Sequence, residues 1–518
     1  MGTALQDMIP ELILGMAAAA CFLLGAFPPL RRGARGTAWC ALIFAGAVAV
    51  VQTGWWQGVA AVEPWYAAFN ALFRLLGPGL GMIVLASMRA DAAGEQEAES
   101  AACLLSAALG VILAGGAGDL ITLFLGLELI SIASYILLYL DRDGPLPQES
   151  AGKYFFLSIL SSAVLLYGLS YVYGLGGSLR LDRPVHAWAD AAGMPGDPSL
   201  GAFAAVLVFA GLAFKIAAVP FHFYAPDVYQ GTSHANAALL SVFPKAAGMA
   251  AVIKLLLATM VGWGGPFWQA VLAVAVLTMT VGNVIALWQT HLRRLLAYSS
   301  IAHAGFMLIG LTTAMTYRRP GDHPWDGAGA MLLYLIAYVI ATAGAFAALS
   351  ALRRGDRPVE RLDDLRGLAR SAAGTPRFVA WSLAAFMFSL AGIPPLAGFW
   401  GKLAVFFSAL EVGASPSESP IRSRLLWLAV IGAINAAIGA AYYLRVVGAL
   451  FFTEEDAGEG PQTAVVSPPA VVAVFVCLVL TLAIGVAPGG WFQAAHDASP
   501  TAARPTVEVS LGAASPAR

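Results

Sequence analysis

Apolar stretches long enough to cross a bilayer recur from the first residues of this chain almost to its last. A helix of about 20 apolar residues spans the hydrocarbon core of a membrane, and it satisfies its backbone hydrogen bonds within one segment. Only 11% of the 518 residues are charged, against about 25% in an average soluble domain. The pattern therefore predicts an all-α polytopic membrane protein and excludes a soluble fold.

The polar breaks between the apolar stretches divide the chain into about fourteen predicted transmembrane helices. Their centres lie near residues 18, 46, 80, 106, 129, 163, 212, 247, 277, 304, 340, 393, 435 and 478. The start lacks the basic segment of a signal peptide, so we expect the first stretch to stay in the membrane as a helix.

Arginine and lysine are shared unequally between the two alternating sets of loops. The first set, which includes Arg31, Arg142 and the long polar break from Arg353 to Arg377, holds roughly twice as many as the second. Because basic residues concentrate in cytoplasmic loops, we expect the first set in the cytoplasm and both termini on the external side.

Two classes of partner are not expected from the composition. No basic tract is dense enough to follow a nucleic-acid backbone. The four cysteines are isolated in apolar segments and lack the spacing of zinc or cluster ligands, so we interpret them as packing residues: Cys21, Cys40, Cys103 and Cys477. We expect neither a metal site nor a cofactor in this chain.

Five ionisable residues fall inside apolar stretches instead of loops: Glu128, Lys215, Lys245, Lys254 and Lys402. A charge at a helix centre costs about 2.5 to 3.5 kcal/mol even on the lenient insertion scale, so such groups normally face a polar interior, pair or conduct ions. For Glu128 and Lys215 the alternative is an ion pair that only packs helices. Lys254 lies later in its span, where we expect a side chain that reaches the membrane interface.

Two of these lysines lie beside helix breakers. Lys215 precedes Pro220, and Lys402 follows Pro394 and Pro395. A proline inside a spanning helix frees a carbonyl group, which is tolerated only against protein or water. Two interrupted helices predict an internal aqueous path in a protein of two related halves. A simple packing kink is the alternative for either helix alone.

His303 adds a group that changes its charge near neutral pH. Two serines and a tyrosine precede it in the helix LLAYSSIAHAGFMLIG, which favours a role in relaying protons. The alternative is a hydrogen bond that only joins two helices.

Five segments together bear a specific resemblance to a known family: LFLGLELISIASYIL, FKIAAVPFHFYAPDVYQG, SVFPKAAG, LLAYSSIAHAGF and AGIPPLAGFWGK. They resemble subunit N of the proton-pumping NADH:quinone oxidoreductase, respiratory complex I, one of its antiporter-like membrane subunits. The similarity covers roughly residues 100 to 450 in the same order. The related M-type subunit has glutamate where Lys402 stands. One departure is TSHANAA after PDVYQG, where the family usually has a Pro-Thr-Pro-like turn.

The resemblance implies a single membrane domain with two inverted five-helix repeats, each with a broken helix. Three helices in residues 1–95 would precede the first repeat, 96–262, and the second repeat, 263–452. The last helix and a short tail would occupy 453–518.

The resemblance also implies that Glu128 is the glutamate paired with Lys215, that Lys245 is the central lysine and that Lys402 is the lysine of the second broken helix. As our own hypothesis, Glu128 would gate Lys215, Lys245 would take the proton along the membrane midplane through water and His303, and Lys402 would hand it to the far side. NADH, FMN, iron–sulfur clusters and quinone would be bound by partner subunits in a bacterial inner membrane, where other membrane subunits of the complex would be the neighbours. The alternatives are a subunit of a cation/proton antiporter or of a membrane-bound hydrogenase, and a non-conducting membrane scaffold.

Overall fold

The structure is a computed structural model that describes residues 7–56, 64–88, 96–140, 145–181, 198–260, 267–316, 326–354, 357–371, 374–413, 420–452 and 467–500. In these ranges the helices are joined by turns and short connections, and the one strand pair is antiparallel, Arg353–Arg354 with Arg357–Pro358.

The first half of the chain contributes nine helices among the described residues: α1 (Ile9–Gly25), α2 (Gly33–Trp56), α3 (Pro64–Ser87), α4 (Glu97–Gly116), α5 (Leu120–Leu140), α6 (Pro145–Gly176), α7 (Pro198–Lys215), α8 (Ala225–Gln230) and α9 (His234–Val252). A π-helical segment, Ile253–Thr259, continues α9.

The second half contributes nine more within the described ranges: α10 (Phe267–Ala286), α11 (Leu292–Thr316), α12 (Gly327–Ala351), α13 (Leu368–Ser371), α14 (Thr375–Ala391), α15 (Ala397–Gly413), α16 (Pro420–Phe451), α17 (Pro468–Val486) and α18 (Gly489–Asp497). Short 3-10 turns occupy Pro28–Leu30 and Leu362–Leu365.

Eleven helices in the described part of the chain are long and apolar enough to cross a membrane. Two further apolar helices, α1 and α7, are shorter. Because apolar helices of this length bury their own backbone hydrogen bonds in lipid, this architecture confirms the predicted all-α membrane protein.

Three helices form the centre of the bundle. Every residue in the most apolar stretch of α9, continued by its π-helical segment, and of α12 is buried. The buried share of the corresponding stretch is 94% in α11 but only 39% in α6 and in α10. A helix enclosed by other helices can hold a polar side chain away from lipid. These central helices contain Lys245 and His303.

Both predicted helix interruptions are present. After α7 ends at Lys215, the Tyr224 hydroxyl donates to the Phe214 carbonyl oxygen at 3.0 Å, and the Val219 amide donates to the Thr278 hydroxyl at 3.0 Å. The second interruption separates α14 from α15. At the first interruption, the contacts of Tyr224 and Thr278 satisfy backbone groups that would be hydrogen-bonded within the helix if it continued.

The second interruption depends on a glycine. Gly392 follows α14 in the left-handed region, with φ of 89°, and its amide donates to the Phe388 and Ser389 carbonyl oxygens. A Cβ atom at this position would lie 2.8 Å from Cδ of Lys402. Glycine therefore permits both the helix end and the close approach of that lysine.

The interpretation of the cysteines as packing residues is confirmed for three of them. Cys21, Cys103 and Cys477 are buried and free. Cys40 is exposed on α2, so the interpretation is wrong there: an apolar stretch in lipid need not face the protein interior.

The polar loop after α12 docks on the start of α11. The Leu292 amide donates to the Glu360 carbonyl oxygen at 2.8 Å, and the Leu362 amide to the Thr290 carbonyl oxygen at 2.9 Å. The buried guanidinium of Arg293 pairs with the Glu360 carboxylate at 2.8 Å. His291 lies beside this contact.

We expect the docked loop to loosen on acidification. Burial, aided by Arg293, lowers the pKa of His291 to about 4 from 6.5. The stability that depends on neutral His291 is complete above pH 6.5 and is lost as the pH falls towards 4. Amide hydrogen exchange in residues 357–366, corrected for intrinsic rates, should be several-fold faster at about pH 5 than at about pH 7.5. His291→Asn should remove the difference, and equal protection at both values in the unmodified protein would contradict the assignment.

Candidate functional site

The first predicted pair, Glu128 and Lys215, is in direct contact. The Lys215 ammonium group lies 2.9 Å from Glu128 Oε1, and it donates to the hydroxyls of Ser131 at 2.7 Å and Ser162 at 3.1 Å. The Ser162 hydroxyl also donates to the same carboxylate oxygen. Three acceptors satisfy the three donors of the ammonium group, so the buried charge is fully paired.

Local sequence explains how these residues meet. Ser131 comes three residues after Glu128 on α5, so both side chains share one face of the helix. Lys215 is the last residue of α7, where unpaired carbonyl groups and the helix dipole favour a positive charge. The helix break therefore places the lysine at the negative end of its own helix.

Lys245 lies on α9 against hydroxyl groups. Its ammonium group donates to Ser300 Oγ at 2.5 Å and to the Ser300 carbonyl oxygen, with the Tyr338 hydroxyl at 3.5 Å. The Tyr338 hydroxyl in turn donates to Ser300 Oγ at 2.8 Å. None of these described partners is charged, so Lys245 has a hydroxyl network in place of a counterion.

Helices α7 and α9 approach closely between the two lysines. A Cβ atom on Gly248 would lie 2.7 Å from Cγ2 of Ile216 and 3.5 Å from Cβ of Lys215. Gly248 is three residues beyond Lys245, hence on the same face of α9. The two lysines therefore face one shared region of the bundle, about one helical turn apart.

His303 lies between two phenols. Nδ1 is 2.7 Å from the Tyr334 hydroxyl, and Nε2 is 2.8 Å from the Tyr443 hydroxyl. A neutral imidazole has one donor and one acceptor, so one phenol must donate to the ring and the other must accept from it. The Tyr443 hydroxyl also shares a hydrogen bond with Ser299.

A small cavity extends from His303 towards the second broken helix. Its volume of about 10 Å³ has room for one water molecule. The lining side chains come from α11, α12 and the region of the break: His303, Tyr334, Ala337, Tyr338, Ser389, Leu390 and Gly398.

Lys402 contacts Leu390, one of the residues that line this cavity. Its ammonium group donates to the carbonyl oxygens of Leu390 at 2.9 Å and Ala391 at 2.8 Å, and it lies 5.2 Å from the ring centre of Phe306. These carbonyls are at the C-terminal end of α14, where no helical donor remains for them. The second break thus supplies the acceptors that hold a buried cation.

Lys254 does not reach a membrane interface, so the prediction for it was wrong. The side chain is only 1% exposed, and its ammonium group donates to the Ala117 carbonyl oxygen at 2.8 Å. The Tyr66 ring centre lies 4.5 Å from the same group. Helix α3 covers the π-helical segment that contains Lys254, which residue order alone does not reveal.

Sequence reasoning did not identify most of the hydroxyl groups that surround Lys245 and His303. Ser299 and Ser300 had a signal, because they precede His303 in its motif. Tyr334 and Tyr338 lie one turn apart on α12, and Tyr443 follows Tyr442 on α16, but the apolar residues around them gave no sign that they meet a lysine or a histidine.

Comparison with known proteins adds independent findings. A family described as "NADH:quinone oxidoreductase/Mrp antiporter, TM" matches residues 117–416. NADH-quinone oxidoreductase subunit N 1 of Rhizobium meliloti is 37% identical over 89% of this chain and 91% of its own length. The subunit N of Paramagnetospirillum magneticum is 34% identical over 92% of this chain and 94% of its own length.

Solved structures share the architecture. A chain of respiratory complex I from Thermus thermophilus aligns with a TM-score of 0.73 and 32% identity, covering 94% of this chain and 99% of that chain. A chain of the Mrp complex from a Dietzia species aligns with a TM-score of 0.78 but only 21% identity, covering 95% and 97%. The second similarity concerns the fold alone.

Proposed function

Because the chain belongs to the subunit N family of NADH-quinone oxidoreductase, we propose that a line of buried residues at its centre conducts the protons that it translocates. The protein is a multi-pass, proton-translocating membrane subunit of that enzyme. The conducting residues are Glu128, Lys215, Lys245, His303 and Lys402. The contact between Glu128 and Lys215 at a helix break supports this assignment most directly.

In the first step the Glu128 carboxylate holds the proton on Lys215. A nearby negative charge favours the ammonium form, whereas a dry interior disfavours it. Movement of the carboxylate away from Lys215 releases a proton towards Lys245, whose helix meets the Lys215 region at Gly248. The interrupted helix α7 supplies the flexibility that this separation needs.

In the second step hydroxyl groups connect Lys245 to His303. Ser300 and Tyr338 contact the Lys245 ammonium group, and the ring centre of Tyr338 lies 5.1 Å from that of His303. Hydroxyl groups both donate and accept, so each can take a proton on one side while it gives its own proton to the other side. A water molecule bound in the cavity at Tyr334 would bridge the remaining gap towards Lys402.

In the last step Lys402 passes the proton to the external side. The Leu390 and Ala391 carbonyls stabilise the ammonium form without a counterion. A cation held only by neutral dipoles releases its proton more readily than one paired with a carboxylate. Lys402 is therefore suited to release its proton at the external side, and the separation of Glu128 from Lys215 is the step that drives transfer in that direction.

We place fourteen crossings in the chain by counting α7 with α8, and α14 with α15, as one interrupted crossing each. The positions of the two interruptions support inverted five-helix repeats in residues 96–262 and 263–452, after three helices in 1–95 and before the last helix and tail in 453–518. The excess of basic residues in one set of loops supports external termini in a bacterial inner membrane.

The partners we propose are other membrane subunits of the complex, including antiporter-like ones, together with the lipid bilayer. The Glu128 side chain is 18% exposed on α5, between the exposed side chains of Leu125 and Ile132. A mid-membrane carboxylate is costly against lipid, which favours a protein neighbour here. NADH, FMN, iron–sulfur clusters and quinone belong to the partner subunits.

Lys215→Met tests the proposal, because methionine keeps the length of the side chain and removes the transferable proton. We expect NADH-driven proton uptake by the reconstituted complex to fall about tenfold with assembly intact, since the first carrier is missing. Lys153→Met is the matched control. This lysine on the neighbouring α6 is 42% exposed, and it is not one of the proposed conducting residues. If a fully assembled Lys215→Met complex pumps normally, the buried charged residues only pack helices together, and the proposal fails.

A further inference from the structure

Two buried lysines on the same helical segment have different surroundings. The Lys245 ammonium group contacts hydroxyl groups. Nine residues later, the Lys254 ammonium group donates to the Ala117 carbonyl oxygen at 2.8 Å and to the Tyr66 hydroxyl at 3.5 Å, and it lies over two rings, with centres at 4.5 Å for Tyr66 and 5.4 Å for Phe69. The Tyr66 hydroxyl directs its own hydrogen to the Gly116 and Ala117 carbonyl oxygens, and neither carbonyl oxygens nor ring faces can pass a proton on. The partners of Lys254 therefore suit a permanent charge.

The carbonyl that Lys254 contacts belongs to the tight turn between α4 and α5. The Tyr66 hydroxyl lies 3.0 Å from the Gly116 carbonyl oxygen and 2.6 Å from that of Ala117. These groups end α4, so they have no helical donors of their own. Lys254 and Tyr66 together satisfy the end of α4.

The same turn sets the start of α5. The Asp119 carboxylate accepts a hydrogen bond from the Thr122 amide at 2.8 Å, as a helix N-cap does. Glu128 lies nine residues beyond Asp119, about 13 Å further along the helix. A shift of the turn is therefore transmitted to Glu128, because a helix moves as a rigid rod over this distance.

We infer that Lys254 is a positioning residue, a fixed cation that ties the end of the α9 segment to the α4–α5 turn and so holds Glu128 and Lys245 in register. Tyr66 on α3 completes the contact, which makes the three N-terminal helices part of the same support. The inference rests on the proposed roles of Glu128 and Lys245, and it adds a lysine that stabilises the path without conducting.

Arginine substitution separates a fixed cation from a proton carrier. Arginine keeps the positive charge, the donors and the affinity for aromatic rings, but it does not release a proton in a protein. In the reconstituted complex we expect Lys254→Arg to keep at least half of the proton uptake per NADH oxidised. The matched variant Lys245→Arg, on the same helix, should lose it about tenfold with assembly intact.

A neutral variant tests whether the charge is needed. We expect Lys254→Met to lower the number of protons taken up per NADH oxidised in complexes that assemble, since Glu128 is no longer held in register. Rescue of this ratio in Lys254→Arg distinguishes the fixed charge from simple filling of space, and Tyr66→Phe should show an intermediate loss because the ring remains.

The two possible failures are distinguishable. Loss of pumping in an assembled Lys254→Arg complex would overturn the inference, because it would show that Lys254 must release its proton. A normal ratio in Lys254→Met would also overturn it, since no charge would then be required. Normal pumping in Lys245→Arg would instead overturn the proposed role of Lys245 in proton transfer. The Lys254 variants would then still show whether a fixed charge is needed at that position.

Discussion

Glu128→Gln should reduce NADH-driven proton uptake about tenfold or more while the complex still assembles. Glutamine keeps the shape of the side chain and can still accept a hydrogen bond from Ser162. It removes the negative charge 2.9 Å from the Lys215 ammonium group. A buried charge that loses its partner is destabilised by about 3 to 5 kcal/mol, so Lys215 would no longer hold a proton for release.

Glu149→Gln is the control for this prediction. Glu149 is also a glutamate within ion-pair distance of a lysine, but its side chain is 56% exposed on α6. Exposed pairs contribute about 0 to 1 kcal/mol, so we expect unchanged pumping. The measurement is proton uptake by proteoliposomes during NADH oxidation, normalised to assembled complex on native gels. Normal coupling in Glu128→Gln would show that Glu128 does not control the protonation of Lys215.

Lys402→Ala should have an effect of similar size, about a tenfold loss of coupled turnover. The lysine is the only described cation at the end of α14, where the Leu390 and Ala391 carbonyls would lose their donor. Alanine also leaves space beside Phe306 that the lysine stem fills. Loss of the terminal carrier stops transfer even if the earlier steps are intact.

Lys402→Arg distinguishes these two causes. Arginine restores a cation at the carbonyl groups but does not release a proton, so assembly should recover while pumping stays low. Recovery of both in Lys402→Arg would show that the lysine only caps α14. Stopped-flow measurement of internal acidification in proteoliposomes, with a protonophore as reference, gives the rate for each variant.

The fold alone does not choose between a respiratory subunit and an antiporter subunit. The Mrp chain aligns with a higher TM-score than the complex I chain, 0.78 against 0.73, but at 21% against 32% identity. A polar path through lipid makes the same physical demand on a respiratory subunit as on an antiporter subunit, so the shared fold does not separate them. The choice rests on sequence similarity over most of the chain.

Lys254 shows where reasoning from residue order went wrong. Its place near the end of an apolar stretch is typical of a side chain that extends to the interface. In the structure, rings from a helix nearly 190 residues earlier cover it, and a carbonyl group 137 residues earlier accepts its hydrogen bond. Proximity across that separation has no signature in the local sequence.

The sequence by itself determined that this protein lies in a membrane and where both helix interruptions fall. It also determined which ionisable residues had to be shielded from lipid by other helices. Each of these is a local property: the cost of burying a charge and the loss of a backbone donor at proline depend on the segment alone. Only the tertiary structure decided which acceptors meet each ammonium group. Glu128 and Lys215 are 87 residues apart, and His303 meets Tyr443 across 140. Such contacts depend on how whole helices pack, which is why one buried lysine has a carboxylate, another has hydroxyls and two have carbonyl groups.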